Sequence, residues 1–195
     1  MKIIDISQEL LSADIYDGDP SPRAELICDM NKGDLYNLST LSMCLHNGTH
    51  IDAPRHFIKD GKAIEEIPLS TLVGKCYVAS HTGDLNATNA EKIIEKARAA
   101  KAKDRILLKG DLTVTEEAAK VFANEKILLL GNEGQTVGPK DAPMAVHLTL
   151  LGADVVLLEG IVLTEADEGA YLLNAAPINI KSAEGAPCRA WLIKD

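Results

Sequence analysis

Three histidines and an aspartate stand close together in the segment HNGTHIDAPRH, residues 46–56, of a chain that contains only five histidines. The four side chains are His46, His50, Asp52 and His56. Asn47-Gly48 and Pro54 disfavour a helix here, so the segment is predicted to be a strand end that turns back on itself. Such a turn lets imidazoles and a carboxylate converge, and these groups together are typical ligands of Zn, Mn or Fe. The pattern predicts a metal site; the alternative is a polar loop that is rich in histidine by accident.

Two side chains that are distant in the sequence are candidates to complete this site. His147 lies in the nearly all-apolar segment PMAVHLTLL, and Glu159 directly follows the apolar run VVLL. Taken singly, His147 is as readily a hydrogen-bonded core histidine, and Glu159 a carboxylate that meets solvent or an arginine. Together they favour a ligand role, because a bound cation removes the cost of burying a carboxylate beside an apolar strand.

The first half of the chain has the period-two pattern of strands, which would place this cluster at a strand end. KIIDIS and CYVASH alternate in this way. In LSMCLH the same period sends Leu41, Met43 and Leu45 to one face and leaves His46 on the other. His46 is therefore predicted to stand at the end of a strand and to face away from its apolar side.

The second half alternates between apolar strands and helix-forming segments. The predicted strands are ILLK (106–109), ILLL (127–130) and DVVLLEG, and the predicted helices are AEKIIEKARAAKAK, EEAAKVFAN and PMAVHLTLL. Thr88 or Asn89 would cap the first helix, and Thr113 with Glu116 would form a capping box for the second. This order predicts a parallel or mixed sheet with helices packed on it, whose ligands gather at the carboxyl ends of the strands.

Composition and charge restrict the class of protein. At 195 residues, with 46% hydrophobic and 25% charged residues, the chain is predicted to form one domain over residues 1–195. A net charge of −9 without a basic block disfavours nucleic acid as a partner. No apolar run is long enough for a bilayer, and Asp5 interrupts the opening MKIIDIS, so we expect a soluble cytoplasmic protein with no membrane partner. The four cysteines show no C-x-x-C pairing and are expected to be reduced.

Other motifs carry less information. The glycine-rich segment GNEGQTVGP (131–139) lacks the G-K-[ST] of a phosphate-binding loop, and is either a pocket rim or a plain connection. No G-x-S-x-G is present, which disfavours a serine hydrolase. His81 is assigned no role.

The segment HNGTHIDAPRHF, together with HLTLLGADVVLLEGIVL and APCRAWLI, resembles the metal-dependent cyclase-like hydrolases, a family that includes bacterial kynurenine formamidase and isatin hydrolase. The resemblance extends from DISQEL to PCRAW. It implies a single compact α/β domain of the swivelling β/β/α type, with a mixed sheet and packed helices. It also implies a homodimer or homotetramer that acts on a small-molecule substrate.

Carried over by position, the resemblance assigns two divalent ions per subunit, with Zn expected and Mn as the alternative. His46, His50 and Asp52 would hold one ion, and Asp52 would bridge to a second that His147 and Glu159 also hold.

The resemblance makes His56 the proton shuttle and Tyr16 a residue that contacts the substrate. Tyr16 replaces the Trp that is frequent in the family, and DGD follows where the family has P-G-D. A family D-T-x-S segment is here NEGQT. The residues expected to face the substrate therefore differ, while those expected to bind metal are all present.

The function implied is hydrolysis of a C–N bond in a small formamide, amide or lactam, as in an arylformamidase. Water activated by the metal would attack the carbonyl carbon, and His56 would shuttle the proton. Two alternatives stay open from sequence: a lactone hydrolase or dehydrating cyclase with the same metal site, and a non-catalytic protein that binds a small carboxylate with the help of metal.

Overall fold

A computed structural model describes residues 1–194, which form thirteen strands, four α-helices and three short 3-10 helices. The strands are β1 (Lys2–Asp5), β2 (Arg23–Cys28), β3 (Leu38–Ser42), β4 (His50–Asp52), β5 (Val73–Ser80), β6 (Gly83–Leu85), β7 (Arg105–Lys109), β8 (Leu112–Val114), β9 (Leu129–Asn132), β10 (Val156–Glu159), β11 (Gly169–Asn174), β12 (Gly185–Pro187) and β13 (Trp191–Lys194). The α-helices are α1 (Leu69–Leu72), α2 (Ala87–Ala99), α3 (Glu116–Asn124) and α4 (Met144–Leu151). The 3-10 helices span Met30–Lys32, Pro54–His56 and Ile64–Glu66. Within residues 1–194, no helix combines the length and the apolar character that crossing a membrane requires.

Nine strands form one sheet in the order β1-β13-β11-β5-β7-β9-β10-β4-β12. The four central strands β5, β7, β9 and β10 are parallel, and helices α2, α3 and α4 connect them in turn. Antiparallel strands extend the sheet on both sides. This arrangement confirms the predicted α/β class, because strand and helix alternate along the chain as the apolar runs indicated.

The core occupies both faces of the central strands. Side chains alternate along a strand, so Leu107, Leu129 and Leu158 lie on one face and Ile106, Leu130 and Leu157 on the other. The second set packs against the helices, which contribute Ile94 from α2, Phe122 from α3 and Leu150 from α4. The face of the sheet that carries Ile106, Leu130 and Leu157 is therefore the face that the helices cover.

Helices α2 and α3 each begin after a residue other than the predicted N-cap. Helix α2 begins after Asn86, whose side chain accepts a hydrogen bond from the backbone N–H of Asn89, instead of after Thr88 or Asn89. Helix α3 is capped by Thr115, because Thr113 is used in the pairing of β6 with β8. Local cap signals could not reveal this small two-stranded sheet, which decides where each helix starts.

Two strand predictions also need correction. The run LSMCLH does not continue as a strand to His46: β3 ends at Ser42, and His46 lies in the turn that follows. The strand predicted at 127–130 begins two residues later, at Leu129, because the N–H of Ile127 still bonds to the carbonyl of Phe122 at the end of α3.

Strands β2 and β3 pair only with each other and form a hairpin outside the main sheet. Every residue of β3 is exposed. Seven of the large exposed hydrophobic side chains belong to the hairpin: Leu26, Ile27, Met30, Leu35, Tyr36, Leu38 and Leu41. An isolated two-stranded hairpin is only marginally stable in water. A contiguous exposed apolar surface such as this one is typical of a protein–protein contact, which would also stabilise the hairpin.

Arg105 joins the start of β7 to the α1–β5 junction. Its side chain is 5% exposed, and its guanidinium donates to the carbonyl oxygens of Thr71 (2.8 Å), Lys75 (3.2 Å) and Ser70. One buried guanidinium thus ties together three backbone carbonyls of the α1–β5 junction.

We predict that Arg105→Ala lowers the free energy of unfolding by roughly 2–3 kcal/mol, because it removes a buried side chain and its charge-assisted hydrogen bonds to three backbone carbonyls. Urea denaturation would measure the loss. The matched control is Arg98→Ala, which removes an exposed ion pair with Glu125 (2.7 Å) and should cost less than about 1 kcal/mol. Equal losses in the two variants would contradict the structural role of Arg105.

Candidate functional site

The pairing of β4 with β10 brings three candidate ligands to one face of the sheet. His50 lies directly opposite Glu159, and Asp52 lies opposite Leu157. Opposed residues share a face, and so do alternate residues along one strand. His50, Asp52 and Glu159 therefore all point to the helix-covered face, where Leu157 belongs to the core.

Two backbone carbonyls orient the imidazoles of His50 and His147. The carbonyl oxygen of Gly48 accepts a hydrogen bond from His50 Nδ1, and that of Pro143 accepts one from His147 Nδ1, both at 2.9 Å. Because a carbonyl can only accept, each Nδ1 carries a proton, and each Nε2 is the nitrogen left to bind a cation or a second proton. Gly48 has a φ of 63°, a left-handed turn conformation that favours glycine. Both imidazoles are thus held with the ligating nitrogen facing the centre.

The candidate ligands form two groups that share Asp52. The first group is His46, His50 and Asp52, the second is Asp52, His147 and Glu159, and the ligating atoms of each lie within 4.8 Å of one another. Asp52 Oδ1 is 2.8 Å from His46 Nδ1 and 3.3 Å from His50 Nε2. Asp52 Oδ2 is 3.8 Å from His147 Nε2, which is 3.5 Å from Glu159 Oε1. The structure therefore brings together all five residues that the sequence indicated, with one Asp52 oxygen turned to each group.

The charges in this site depend on one another. Burial alone would raise the pKa of Asp52, but the hydrogen bond from His46 and the charges of His46 and His50 hold it well below its usual range. Burial lowers the pKa of His50, yet Asp52 and Glu159 outweigh it and raise the pKa to about 9. Burial and the charge of Asp52 raise the pKa of Glu159. The buried carboxylates thus require positive charge nearby, which either protons on the imidazoles or a cation can supply.

Several buried polar atoms at this place have no hydrogen-bond partner among the described residues. They are His46 Nε2, His50 Nε2 and Asp52 Oδ2. An unpaired buried polar atom is costly, and coordination to a cation removes that cost. Imidazole nitrogens and carboxylate oxygens are the donors that Zn and Mn accept. The residues present therefore fit a divalent metal.

His56 stands beside both groups and belongs to neither. It ends the 3-10 helix Pro54–His56, and its Nε2 is 4.0 Å from Asp52 Oδ2. Its ring stacks on His46 with centroids 4.1 Å apart. Burial, together with the charges of the neighbouring imidazoles, lowers the pKa of His56 to about 4 despite the proximity of Asp52. At neutral pH the imidazole is therefore uncharged and has a lone pair that can accept a proton.

A pocket of about 250 Å³ gives access to the site. It is lined by His46, His50, His56, His147 and Glu159 at the ligand end and by Tyr16, Asp19, Phe57, Gln135, Thr136 and Pro143 elsewhere. The hydroxyl of Tyr16 donates to the carbonyl of Lys140 at 3.0 Å and so links two loops at the rim. A larger cavity of about 680 Å³ contains none of the candidate ligands, so chemistry and not size identifies the site.

Sequence reasoning missed one contributor to the site and left another open. Phe57 follows the histidine motif directly and stacks on His147 with centroids 4.6 Å apart. Within the 131–139 segment, the backbone N–H of Val137 donates to Glu159 Oε1 at 2.8 Å, and two side chains of this segment line the pocket. It is therefore a pocket wall, a role that its place at the carboxyl end of β9 could have indicated. His81 is not among the pocket residues, and its Nε2 lies 3.1 Å from the carbonyl oxygen of Asp84.

Comparison with known proteins gives consistent results. The Cyclase family model (Putative cyclase) matches residues 4–139. The chain is 30% identical to a kynurenine formamidase of Salinibacter ruber, over 98% of this chain and 97% of that protein. It is 28% identical to a solved structure described as a predicted metal-dependent hydrolase from Bacillus stearothermophilus, with a TM-score of 0.81 and coverage of 98% and 97%. Isatin hydrolase A from Labrenzia aggregata, at 22% identity, has the same fold with a TM-score of 0.83 over 98% of this chain and 93% of that one.

We predict that Asp52→Asn weakens metal binding by about tenfold or more, because a neutral amide replaces the only carboxylate that both groups share. Elemental analysis after dialysis against Zn or Mn would measure the occupancy. The control is Asp154→Asn, since Asp154 is exposed and pairs only with Lys62 (2.8 Å). Full occupancy in a folded Asp52→Asn variant would exclude the bridging role.

Proposed function

The chain belongs to the Cyclase family, and from this membership we propose that it is a metal-dependent hydrolase of the C–N bond in small formamides, amides or lactams. The observation that carries the proposal is the convergence of two ligand groups on Asp52 beside a pocket. Similarity to a kynurenine formamidase over nearly the whole chain supports amide hydrolysis. Similarity to a metal-dependent hydrolase supports the use of metal.

We propose that the site holds two divalent ions, with Zn as the native metal and Mn as the alternative. His46, His50 and Asp52 would hold one ion, and Asp52, His147 and Glu159 the other. When bound, the ions supply Lewis-acid polarisation of the substrate carbonyl and lower the pKa of a water molecule.

His56 is the proton carrier in this proposal. Its Nε2 accepts a proton as the water oxygen bonds to the carbonyl carbon. The same nitrogen then returns the proton to the leaving nitrogen as the C–N bond breaks, so the imidazole ends the cycle uncharged. His56 suits this role because it lines the pocket and lies next to Asp52 without belonging to either ligand group.

The remaining pocket residues restrict the substrate. Phe57 and Pro143 form an apolar wall, and a volume of about 250 Å³ admits a small molecule. The ring of Phe57 is fixed by its stacking on His147 and lies at the mouth of the ligand groups. Tyr16, held at the rim by its bond to Lys140, would contact the substrate. An aryl formamide, with a flat ring beside the scissile group, fits these surroundings.

We predict that the protein reconstituted with Zn, and separately with Mn, hydrolyses N-formylkynurenine. His56→Ala should keep its metal and lose about 10²- to 10⁴-fold in kcat, because the variant lacks the proton carrier but keeps all five candidate ligands. Product formation and metal content would be measured on the same samples.

His81→Ala is the matched control, since His81 lies outside the pocket, and its kcat should equal that of the wild type. An unchanged rate in His56→Ala would remove His56 from the mechanism. Absence of turnover on N-formylkynurenine, formanilide and a simple lactam, with metal bound, would contradict amide hydrolysis.

We further propose that the chain forms a homodimer or homotetramer through the β2–β3 hairpin. Its seven exposed hydrophobic side chains, on a hairpin that pairs with nothing else in the described chain, favour a second copy as the covering surface. Such a contact is self-complementary when the same surface of each copy takes part.

Sedimentation velocity should give a mass of at least twice 20.9 kDa. The double substitution Leu26→Lys and Leu38→Lys should shift the protein toward the monomer, because it places charge in an apolar contact. Replacing Leu69, a leucine outside the hairpin that is even more exposed, by lysine should not. A monomeric wild type, or a double variant that assembles normally, would contradict the proposal.

A further inference from the structure

We propose that Glu133 is a positioning residue for Glu159, acting through the 131–139 loop, which it fixes to two neighbouring strand ends. The inference rests on the proposed role of Glu159 as a metal ligand. Glu133 does not line the pocket, so its effect on the site would be indirect.

Both oxygens of the Glu133 carboxylate accept backbone hydrogen bonds from distant segments. Oε2 accepts from the N–H of Gly110 and Oε1 from the N–H of Leu163, each at 2.7 Å. Gly110 directly follows β7, Glu133 directly follows β9, and Leu163 follows β10. Since β7, β9 and β10 are adjacent and parallel, one side chain joins three connections at the carboxyl edge of the sheet.

The position of Gly110 makes one of these bonds specific. Its φ is +112°, a conformation that favours glycine, and a Cβ there would clash with the carbonyl oxygen of His81. Only glycine fits this close approach to His81, and in this conformation the N–H of Gly110 meets Glu133. Bonds from backbone N–H groups to an ionised carboxylate are shorter and stronger than those to a neutral acceptor.

The start of the loop is bonded to the residues that follow Glu159. The N–H of Gly160 donates to the carbonyl of Gly134 at 2.8 Å, and the N–H of Ile161 donates to the carbonyl of Asn132 at 3.2 Å. These two carbonyls stand on either side of Glu133 in the chain. Fixing Glu133 thus fixes the backbone against the end of β10.

The end of the loop reaches the Glu159 side chain itself. Asn132 Nδ2 donates to the carbonyl of Thr136 at 3.0 Å and folds the loop back, and the N–H of Val137 then donates to Glu159 Oε1 at 2.8 Å. This bond turns the carboxylate so that Oε2 lies 3.6 Å from His50 Nε2 and Oε1 lies 3.5 Å from His147 Nε2. A loop released from Glu133 would lose this orientation.

The test is the zinc affinity of Glu133 variants, measured by competition with a chromophoric chelator. Glu133→Ala should weaken one of the two zinc-binding steps by about 10- to 100-fold, the usual effect of removing a group that orients a ligand. Glu133→Gln, which keeps an acceptor oxygen for one of the two N–H groups, should fall between the wild type and Glu133→Ala. The other binding step, which does not use Glu159, should change less.

The control variant is Asn86→Ala, which removes the cap of α2 and lowers the melting temperature without touching the 131–139 loop. It should bind zinc at both steps as the wild type does. The inference would be overturned if the Glu133 variants bound zinc more weakly at both steps to the same extent, and if Asn86→Ala, at the same loss of melting temperature, did so too. That result would show a general structural role for Glu133.

Wild-type affinity in Glu133→Ala would also overturn it, and if that variant does not fold, wild-type affinity in Glu133→Gln would do so. The proposed function is tested separately, on the wild-type protein. It fails if the wild type does not bind zinc, or if it binds zinc and hydrolyses no amide, and both results are known before any Glu133 variant is compared.

Discussion

The buried carboxylate of Asp52 is the group on which the organisation of the site depends. It is fully buried, and burial alone would favour its neutral form, yet the surrounding imidazoles keep it ionised. An ionised carboxylate in such a place requires positively charged groups or hydrogen-bond donors beside its oxygens. The antiparallel pairing of β4 with β10 and the packing of α4 provide the groups that meet this requirement.

Stability and chemistry occupy opposite ends of the parallel strands. At the amino end of β7, Arg105 satisfies the carbonyls of the α1–β5 junction and takes no part in the pocket. At the carboxyl ends, β9 leads into the 131–139 loop and β10 ends at Glu159. Loops at the carboxyl edge can differ without disturbing the core between the strands, as is typical of this class of sheet.

The candidate ligands and the pocket walls contribute differently to function. Four of the five candidate ligands come from strands β4 and β10 and from helix α4, so their geometry follows from the fold; His46 comes from the turn between β3 and β4. The walls at Tyr16 and at residues 135–136 come from loops, and these are the places where the sequence departs from the pattern of the family that it resembles. In the proposed function, the scaffold would therefore supply the metal ligands and the loops would supply most of the contacts with the substrate.

By itself, the sequence determined the local features of this protein. The spacing of His46, His50, Asp52 and His56 around Gly48 indicated a candidate metal site at a turn, and alternating apolar runs indicated a parallel or mixed sheet with packed helices. Both follow from short-range geometry, the period of a strand or helix and the bend that glycine permits.

Tertiary structure decided the features that depend on distant partners. The register that sets Glu159 opposite His50, the carboxylate of Glu133 between Gly110 and Leu163, and the N–H of Val137 on Glu159 all join separate segments. The caps at Asn86 and Thr115 depended on the pairing of β6 with β8 in the same way. Such contacts are selected by the packing of the whole chain, because no local pattern states which backbone group a side chain will meet.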